Sequence, residues 1–264
     1  MDEALTQAMI EAALAGGRAI LAVASSGETD VRLKADRSPV TAADEAADAA
    51  IAAVLGRAFP EIAIVSEESA GERAPAQSGL FFLIDPLDGT KEFVAGTGEY
   101  TVNIALVDKG RAVAGVIHTP ALGRICAGVV GEGAREAEVV DGAPGPWRTI
   151  RARTTPASAP VAVASRRHAG PRTEEFLASL GVCERASRGS SLKFCLLAAG
   201  EADVYPRLAP TMEWDTAAGH AILEAAGGRV ERLDGTPLTY GGPWAAGAKP
   251  WANPDFVAWG ARSA

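Results

Sequence analysis

Apolar positions near the N-terminus recur with helical spacing. Leu5, Met9, Ala12, Ala13, Ile20 and Val23 fall on one face, so the pattern predicts a first helix over residues 3–24. The polar stretch 25–39 reads as a loop with a short strand around Val31. A second helix begins near Thr41, carries Ala46, Ala50, Ile51, Val54 and Leu55, and stops at Phe59-Pro60. Short apolar runs at 62–65 and 80–84, each bounded by polar residues or Gly/Pro, read as strands. Segments 100–107 and 112–117 flank Asp108-Lys109-Gly110 and predict an antiparallel hairpin, with a further strand over 124–130.

Between residues 131 and 160 this pattern gives way to Gly, Pro, Ala and Arg, which places a boundary near residue 150 and divides the chain into 1–150 and 151–264. Beyond it the chain reads as a strand (161–164), two helices (171–180 and 192–199), a strand (202–205) and a helix over 216–226. Gly227-Gly228 supplies the left-handed ending of that last helix. Strands mixed with helices in both halves indicate a layered α/β or α+β protein.

Composition narrows the function classes. With 48% hydrophobic and 22% charged residues in 264, the chain has an ordinary globular balance. A formal net charge of −8 argues against a nucleic acid polymer or an anionic lipid surface as partner. The three cysteines, Cys126, Cys183 and Cys195, are odd in number and contain no C-x-x-C pair. They read as buried small hydrophobes rather than a disulfide framework or zinc cage, which fits a cytoplasmic setting. Asp2 and Glu3 stand where a signal peptide would be basic, and no transmembrane segment is expected.

The richest chemistry lies in Asp85-Pro86-Leu87-Asp88-Gly89-Thr90. An apolar strand ends in two carboxylates three positions apart around a proline, followed by a glycine turn and a hydroxyl. Hard oxygen donors on a rigid turn suit magnesium, and a carboxylate pair of this kind can bridge two ions in phosphatases. Backbone N–H groups at Gly89 and Thr90, opening a helical turn, would face a phosphate oxygen. The competing reading is an Asp-rich turn that satisfies its own backbone. More acids follow apolar strands or open helices: Glu67 and Glu68 after Val65-Ser66, Asp44 in a Thr41-x-x-Asp44 capping box, and Asp215 as the N-cap of the last helix.

These motifs resemble those of the inositol monophosphatase-like, lithium-sensitive phosphatases. Asp85-Pro86-Leu87-Asp88-Gly89-Thr90 and Trp214-Asp215-Thr216-Ala217-Ala218-Gly219 match the two hallmark motifs. The segment Lys34 to Asp44 and Ser66-Glu67-Glu68 match two more, in the family's order and spacing. Within the family, Lys91-Glu92-Phe93, Gly189-Ser190-Ser191-Leu192-Lys193-Phe194-Cys195, the stretch Gly200 to Arg207 and His220 after the second hallmark resemble the 3′(2′),5′-bisphosphate nucleotidase branch. The resemblance implies a sugar-phosphatase-type α-β-α-β-α sandwich with the metal site in the cleft between the halves.

It also implies two or three magnesium ions held by Glu67, Asp85, the Leu87 carbonyl, Asp88 and Asp215. Asp36 would reach a weaker third ion through water. Asp44, Thr90 and Glu67 would be catalytic. The substrate would be a small bisphosphorylated nucleotide, adenosine 3′,5′-bisphosphate or its sulfated form. It would be bound by Glu67, Gly89, Thr90, Asp215, Ser190, Ser191, Lys193, Arg207 and Arg166 of the Ser165-Arg166-Arg167 group. A monomer or homodimer and a peripheral association with the inner membrane both stay open. An inositol or fructose-1,6-bisphosphate phosphatase and a non-catalytic metal-dependent nucleotide sensor are the competing functions. The histidines and Trp214 read as structural, with His220 the one that could line the cleft.

Overall fold

The computed structural model describes residues 3–26, 31–33, 39–70, 79–156, 159–165, 170–182, 184–244 and 247–261. In chain order the elements are α1 (Glu3–Ser26), β1 (Val31–Leu33), β2 (Pro39–Thr41), α2 (Ala42–Ala58), β3 (Ala63–Ser66), β4 (Leu80–Asp88) and α3 (Thr90–Val94). Then come β5 (Thr101–Asp108), β6 (Arg111–Thr119), β7 (Arg124–Val129), β8 (Gly133–Val140), β9 (Ala143–Pro144) and β10 (Arg148–Ile150). The second half holds β11 (Val161–Ser165), α4 (Pro171–Ser179), β12 (Glu184–Arg188), α5 (Leu192–Ala198), β13 (Val204–Arg207), α6 (Ala217–Ala225), β14 (Arg229–Arg232) and β15 (Phe256–Trp259). Short 3-10 turns cover Pro120–Leu122 and Glu213–Asp215.

An eight-stranded sheet runs β10-β8-β7-β6-β5-β4-β3, with β9 beside β8. It is antiparallel except for the β3–β4 pair. A five-stranded mixed sheet runs β12-β11-β13-β15-β14. Helices α1 and α2 cover one face of the large sheet through Met9, Ile10, Ile51 and Leu55 against Phe82, Ile84 and Ile104. The other face meets α5 and α6, whose Phe194, Ala218 and Ile222 share one core with Leu83, Ala105, Ile117, Tyr205 and Phe256. Leu177 of α4 closes the outer face of the small sheet against Ala162, Val204 and Val257. The order of layers is therefore α-β-α-β-α. Close approach makes it fit: a Cβ on Gly115 of β6 would lie 2.2 Å from the Ala218 carbonyl oxygen of α6.

The predicted helices and strands of the first 130 residues recur here within a few positions. Strands β8 and β10 lie in the stretch where sequence composition marks a boundary, and they complete the large sheet. By length and composition α1 could cross a membrane, but half of its most apolar window is buried inside the protein. Asp215 is not the N-cap of α6. That position belongs to Thr216, and Asp215 instead closes the preceding 3-10 turn by accepting the Met212 N–H at 2.9 Å.

Candidate metal centre and active site

The parallel β3–β4 pair sets Ser66 beside Ile84, so Glu67 and Asp85 emerge together at the end of the sheet. Asp85 then pairs with Asn103 and Asp88 with Thr101, three steps on one strand against two on the other. This one-residue bulge falls at Pro86-Leu87, where the proline has no N–H for the ladder. Carboxylates three apart on a regular strand would point to opposite faces, and the extra residue brings them back to one side. Asp85 Oδ1 accepts the Leu87 N–H at 3.1 Å, which fixes the turn. Gly89 follows with φ 92°, a left-handed conformation suited to glycine, and opens α3 at Thr90.

Glu67, Asp85 and Asp215 each offer a carboxylate oxygen within 4.8 Å of the others. Burial pushes the Asp85 carboxyl well up, and the nearby charges of Glu67, Asp88, Asp215 and Asp44 add to that push. Burial likewise raises Asp215 to about 8, with Asp88 contributing, against the lowering effect of the Met212 N–H. Three converging hard oxygen donors, of which Asp85 and Asp215 resist ionisation, are a set a divalent cation would satisfy. Asp88 stands beside this trio rather than within it, its Oδ2 accepting the Ser190 and Ser191 hydroxyls, each at 2.7 Å.

Asp44 divides its two oxygens between fold and site. Oδ2 accepts both the Thr41 N–H and the Thr41 hydroxyl at 2.7 Å, completing the capping box of α2. Oδ1 faces Thr90 Oγ1 at 3.2 Å, and that hydroxyl also lies 3.4 Å from the Leu87 carbonyl. Burial raises the Asp44 carboxyl, against the lowering effect of its Thr41 hydrogen bonds.

Lys193 is 4% exposed, and its ammonium donates to the Ser190 carbonyl and to the Arg188 carbonyl at 3.5 Å while lying over the Tyr205 ring. Burial lowers it to about 8. Its ammonium is thus engaged in holding the serine turn. Arg207, 8% exposed, donates from Nη2 to the Pro210 carbonyl at 2.8 Å, and its Nε has no hydrogen-bond partner among the described residues. Asp36, Arg166, His168 and Cys183 lie outside the described residues. Cys126 and Cys195 are buried free thiols. His220 is buried, its Nδ1 2.9 Å from the Tyr240 hydroxyl and its Nε2 facing Glu224, and His118 packs its Nδ1 on the Ala13 carbonyl.

The model of the inositol monophosphatase family matches residues 1–258. The chain belongs to that family. Like other members of the inositol monophosphatase family, it is a phosphatase, and the group is metal-dependent, generally on magnesium. It is 44% identical over 212 residues to the 3′(2′),5′-bisphosphate nucleotidase CysQ of Escherichia coli strain K12, covering 80% of this chain and 83% of that one. The crystal structure of CysQ from Bacteroides thetaiotaomicron superposes with a TM-score of 0.83 at 38% identity, over 100% of this chain and 99% of that one. An inositol monophosphatase from Anabaena sp. PCC 7120 gives 0.72 at 26% identity, over 97% and 90%.

Several site residues escape sequence reading. Thr101 and Asn103 stand two apart in β5, whose other residues before Asp108 are apolar, both fully buried, and so share one face of the strand. Two polar residues at that period in a buried strand were the available signal. Glu99 accepts the Gly189 N–H at 2.7 Å. Glu213, 2% exposed, accepts the Gly241 N–H at 2.6 Å and the Trp244 indole N–H at 2.5 Å, which pins the turn bearing Asp215.

Proposed function

We propose that this phosphatase removes the 3′-phosphate of adenosine 3′,5′-bisphosphate to give AMP and phosphate, with its sulfated form, 3′-phosphoadenylyl sulfate, as a second substrate. The observation that carries the chemistry is the Asp44–Thr90 pair standing beside three converging carboxylates. Glu67, Asp85, the Leu87 carbonyl, Asp88 and Asp215 would hold two or three magnesium ions. Bound magnesium acidifies water and neutralises charge on the phosphoryl group.

The chain's own residues supply the rest. With its proton given to Asp44 Oδ1, the Thr90 oxygen keeps a lone pair for a water hydrogen and so orients the attack. A carboxylate whose proton affinity is raised by burial, as at Asp44, is a better acceptor for that proton than an exposed one. Glu67 would flank the same water. The N–H groups of Gly89 and Thr90 would face the phosphoryl oxygens. A second phosphate needs cations, and the Arg207 Nε, without a hydrogen-bond partner among the described residues, supports a role there, with Lys193 adding positive potential and Arg166 a further candidate on sequence alone. Chemistry would then run in the cleft between halves 1–150 and 151–264, which carry separate sheets. A pure sensor would have no use for the Asp44–Thr90 pair. The free thiols of Cys126 and Cys195 support a cytoplasmic setting.

The test is phosphate release with magnesium from adenosine 3′,5′-bisphosphate, inositol 1-phosphate and fructose 1,6-bisphosphate in parallel. At least a tenfold advantage in kcat/KM for the nucleotide, about 1.4 kcal/mol at the transition state, is the expected result. Preference for either sugar phosphate overturns the substrate, and nucleotide binding without turnover of any of the three overturns the enzymatic reading.

A further inference from the structure

The turn 189–191 belongs to the second half of the chain, yet its hydroxyls are aimed at the first. Ser190 and Ser191 both reach Oδ2 of Asp88 at 2.7 Å, and Ser191 Oγ also lies 2.6 Å from the Asp215 backbone carbonyl. Behind them stands a buried chain of donors. Thr101 donates its hydroxyl to Asn103 Oδ1 at 2.8 Å, and Asn103 Nδ2 donates to Ser191 Oγ at 3.0 Å. Since Asn103 fills an acceptor position on Ser191 Oγ, that hydroxyl's own proton is left for Asp88 or Asp215. Ser190 lies 2.6 Å from Thr101 Oγ1, and with the Thr101 proton on Asn103 the serine has Asp88 and Thr101 as its two acceptors.

The turn itself is fixed against its own backbone preference. Ser190 sits at φ 53°, the left-handed region that non-glycine residues seldom occupy. Lys193 holds the Ser190 and Arg188 carbonyls, and Glu99 takes the Gly189 N–H at 2.7 Å.

We infer that Ser191 and Asn103, with Ser190 and Thr101, are positioning residues for the metal: they hold Oδ2 of Asp88 so that Oδ1 is left to the cation, and they tie that ligand to the Asp215 turn. This rests on Asp88 being a ligand, as proposed above, and departs from a substrate-contacting role for the two serines. Hydrogen bonds behind a ligating group fix its orientation and typically change metal affinity by about 10–100-fold when removed.

The experiment titrates magnesium calorimetrically into wild type, Ser191→Ala, Ser191→Thr, Asn103→Leu and Asp88→Asn without substrate, alongside kcat and KM at saturating magnesium. Ser191→Ala and Asn103→Leu are expected to weaken magnesium binding by about 10-fold or more. Ser191→Thr, which keeps the hydroxyl, restores it, and KM for the substrate at saturating magnesium stays within a few-fold of wild type. If Asp88→Asn loses magnesium while Ser191→Ala binds it like wild type and instead raises KM, the positioning role is wrong and the serines contact substrate. Should Asp88→Asn bind magnesium normally, the ligand assignment fails and the inference falls with it. Ser190→Ala, at a more exposed position, gives the same reading if Asn103→Leu does not fold; unchanged affinity in both serine variants overturns the proposal.

Discussion

Exchanging Asp215 for Asn in the metal-free protein should change the pH dependence of stability by a calculable amount. Burial and the neighbouring Asp88 raise this carboxyl from 3.8 to about 8. Across that window the folded chain keeps a proton that the unfolded chain has released. The folded state therefore binds more protons, and stability falls as pH rises. Between pH 6.5 and 7.5 the folded Asp215 is on average about nine-tenths protonated. At 1.36 kcal/mol per pH unit per proton, that window removes about 1.2 kcal/mol. Spread over an unfolding entropy near 2.1 cal/mol/K per residue, this is about 2 °C in Tm.

Two other groups act with the opposite sign. His118, lowered to about 4, and Lys193, lowered to about 8, hold fewer protons when folded than unfolded below their ordinary values, so their contributions grow with pH. His118 is independent of Asp215 and cancels in the difference, and Lys193, on which the Asp215 charge is a minor influence, cancels as long as that carboxyl stays protonated. Urea titrations in a chelator at the two pH values should show wild type losing about 1.2 kcal/mol more than Asp215→Asn. Magnesium should then stabilise wild type more at pH 7.5 than at 6.5, because cation and proton compete for the same oxygens. Parallel stability curves for the two proteins would refute the reasoning.

Asp44→Asn keeps an oxygen for the α2 cap but loses the proton acceptor, so kcat at saturating magnesium should drop about 10²–10⁴-fold with circular dichroism unchanged. Gly115→Ala pushes a methyl to 2.2 Å from the Ala218 carbonyl oxygen and should cost about 1–3 kcal/mol by urea denaturation. Glu213→Leu strands the Gly241 and Trp244 N–H groups, each worth about 1–3 kcal/mol if left unpaired. A lowered Tm together with altered tryptophan fluorescence is the expected readout.

The acids that gather at the end of the β3–β4 pair were legible because each stands where an apolar run ends or a helix begins. Glu67 follows the apolar strand β3, Asp85 closes the apolar part of β4, and Asp44 completes a capping box visible as Thr41-x-x-Asp44. Single-sequence reasoning could not supply the partners, because hydrogen bonding across more than eighty residues leaves no local trace. The resemblance makes Ser190 a substrate contact, and nothing local in the sequence sets Asp88 beside it. Lys193 looked like an open cation because its position in a motif says nothing of the Tyr205 ring that covers it. Strands β12, β14 and β15 were missed for a related reason. They are four or five residues long, and β12 alternates little between buried and exposed positions. Their existence is decided by the neighbours they pair with, which periodicity cannot report.

The middle layer of the sandwich limits how this enzyme can move. Every residue of α5 and seven of the nine in α6 are buried, with a sheet above and a sheet below. Rotating one half against the other would drag both sheets across the same two helices, opening gaps in a close-packed interior. Such a layer opposes a clam-like closure and would favour the two halves moving as one solid frame. In a molecule so built, selectivity would come from a shape set at folding, as in a mould, and changes of specificity are to be sought in the segments around the converging carboxylates.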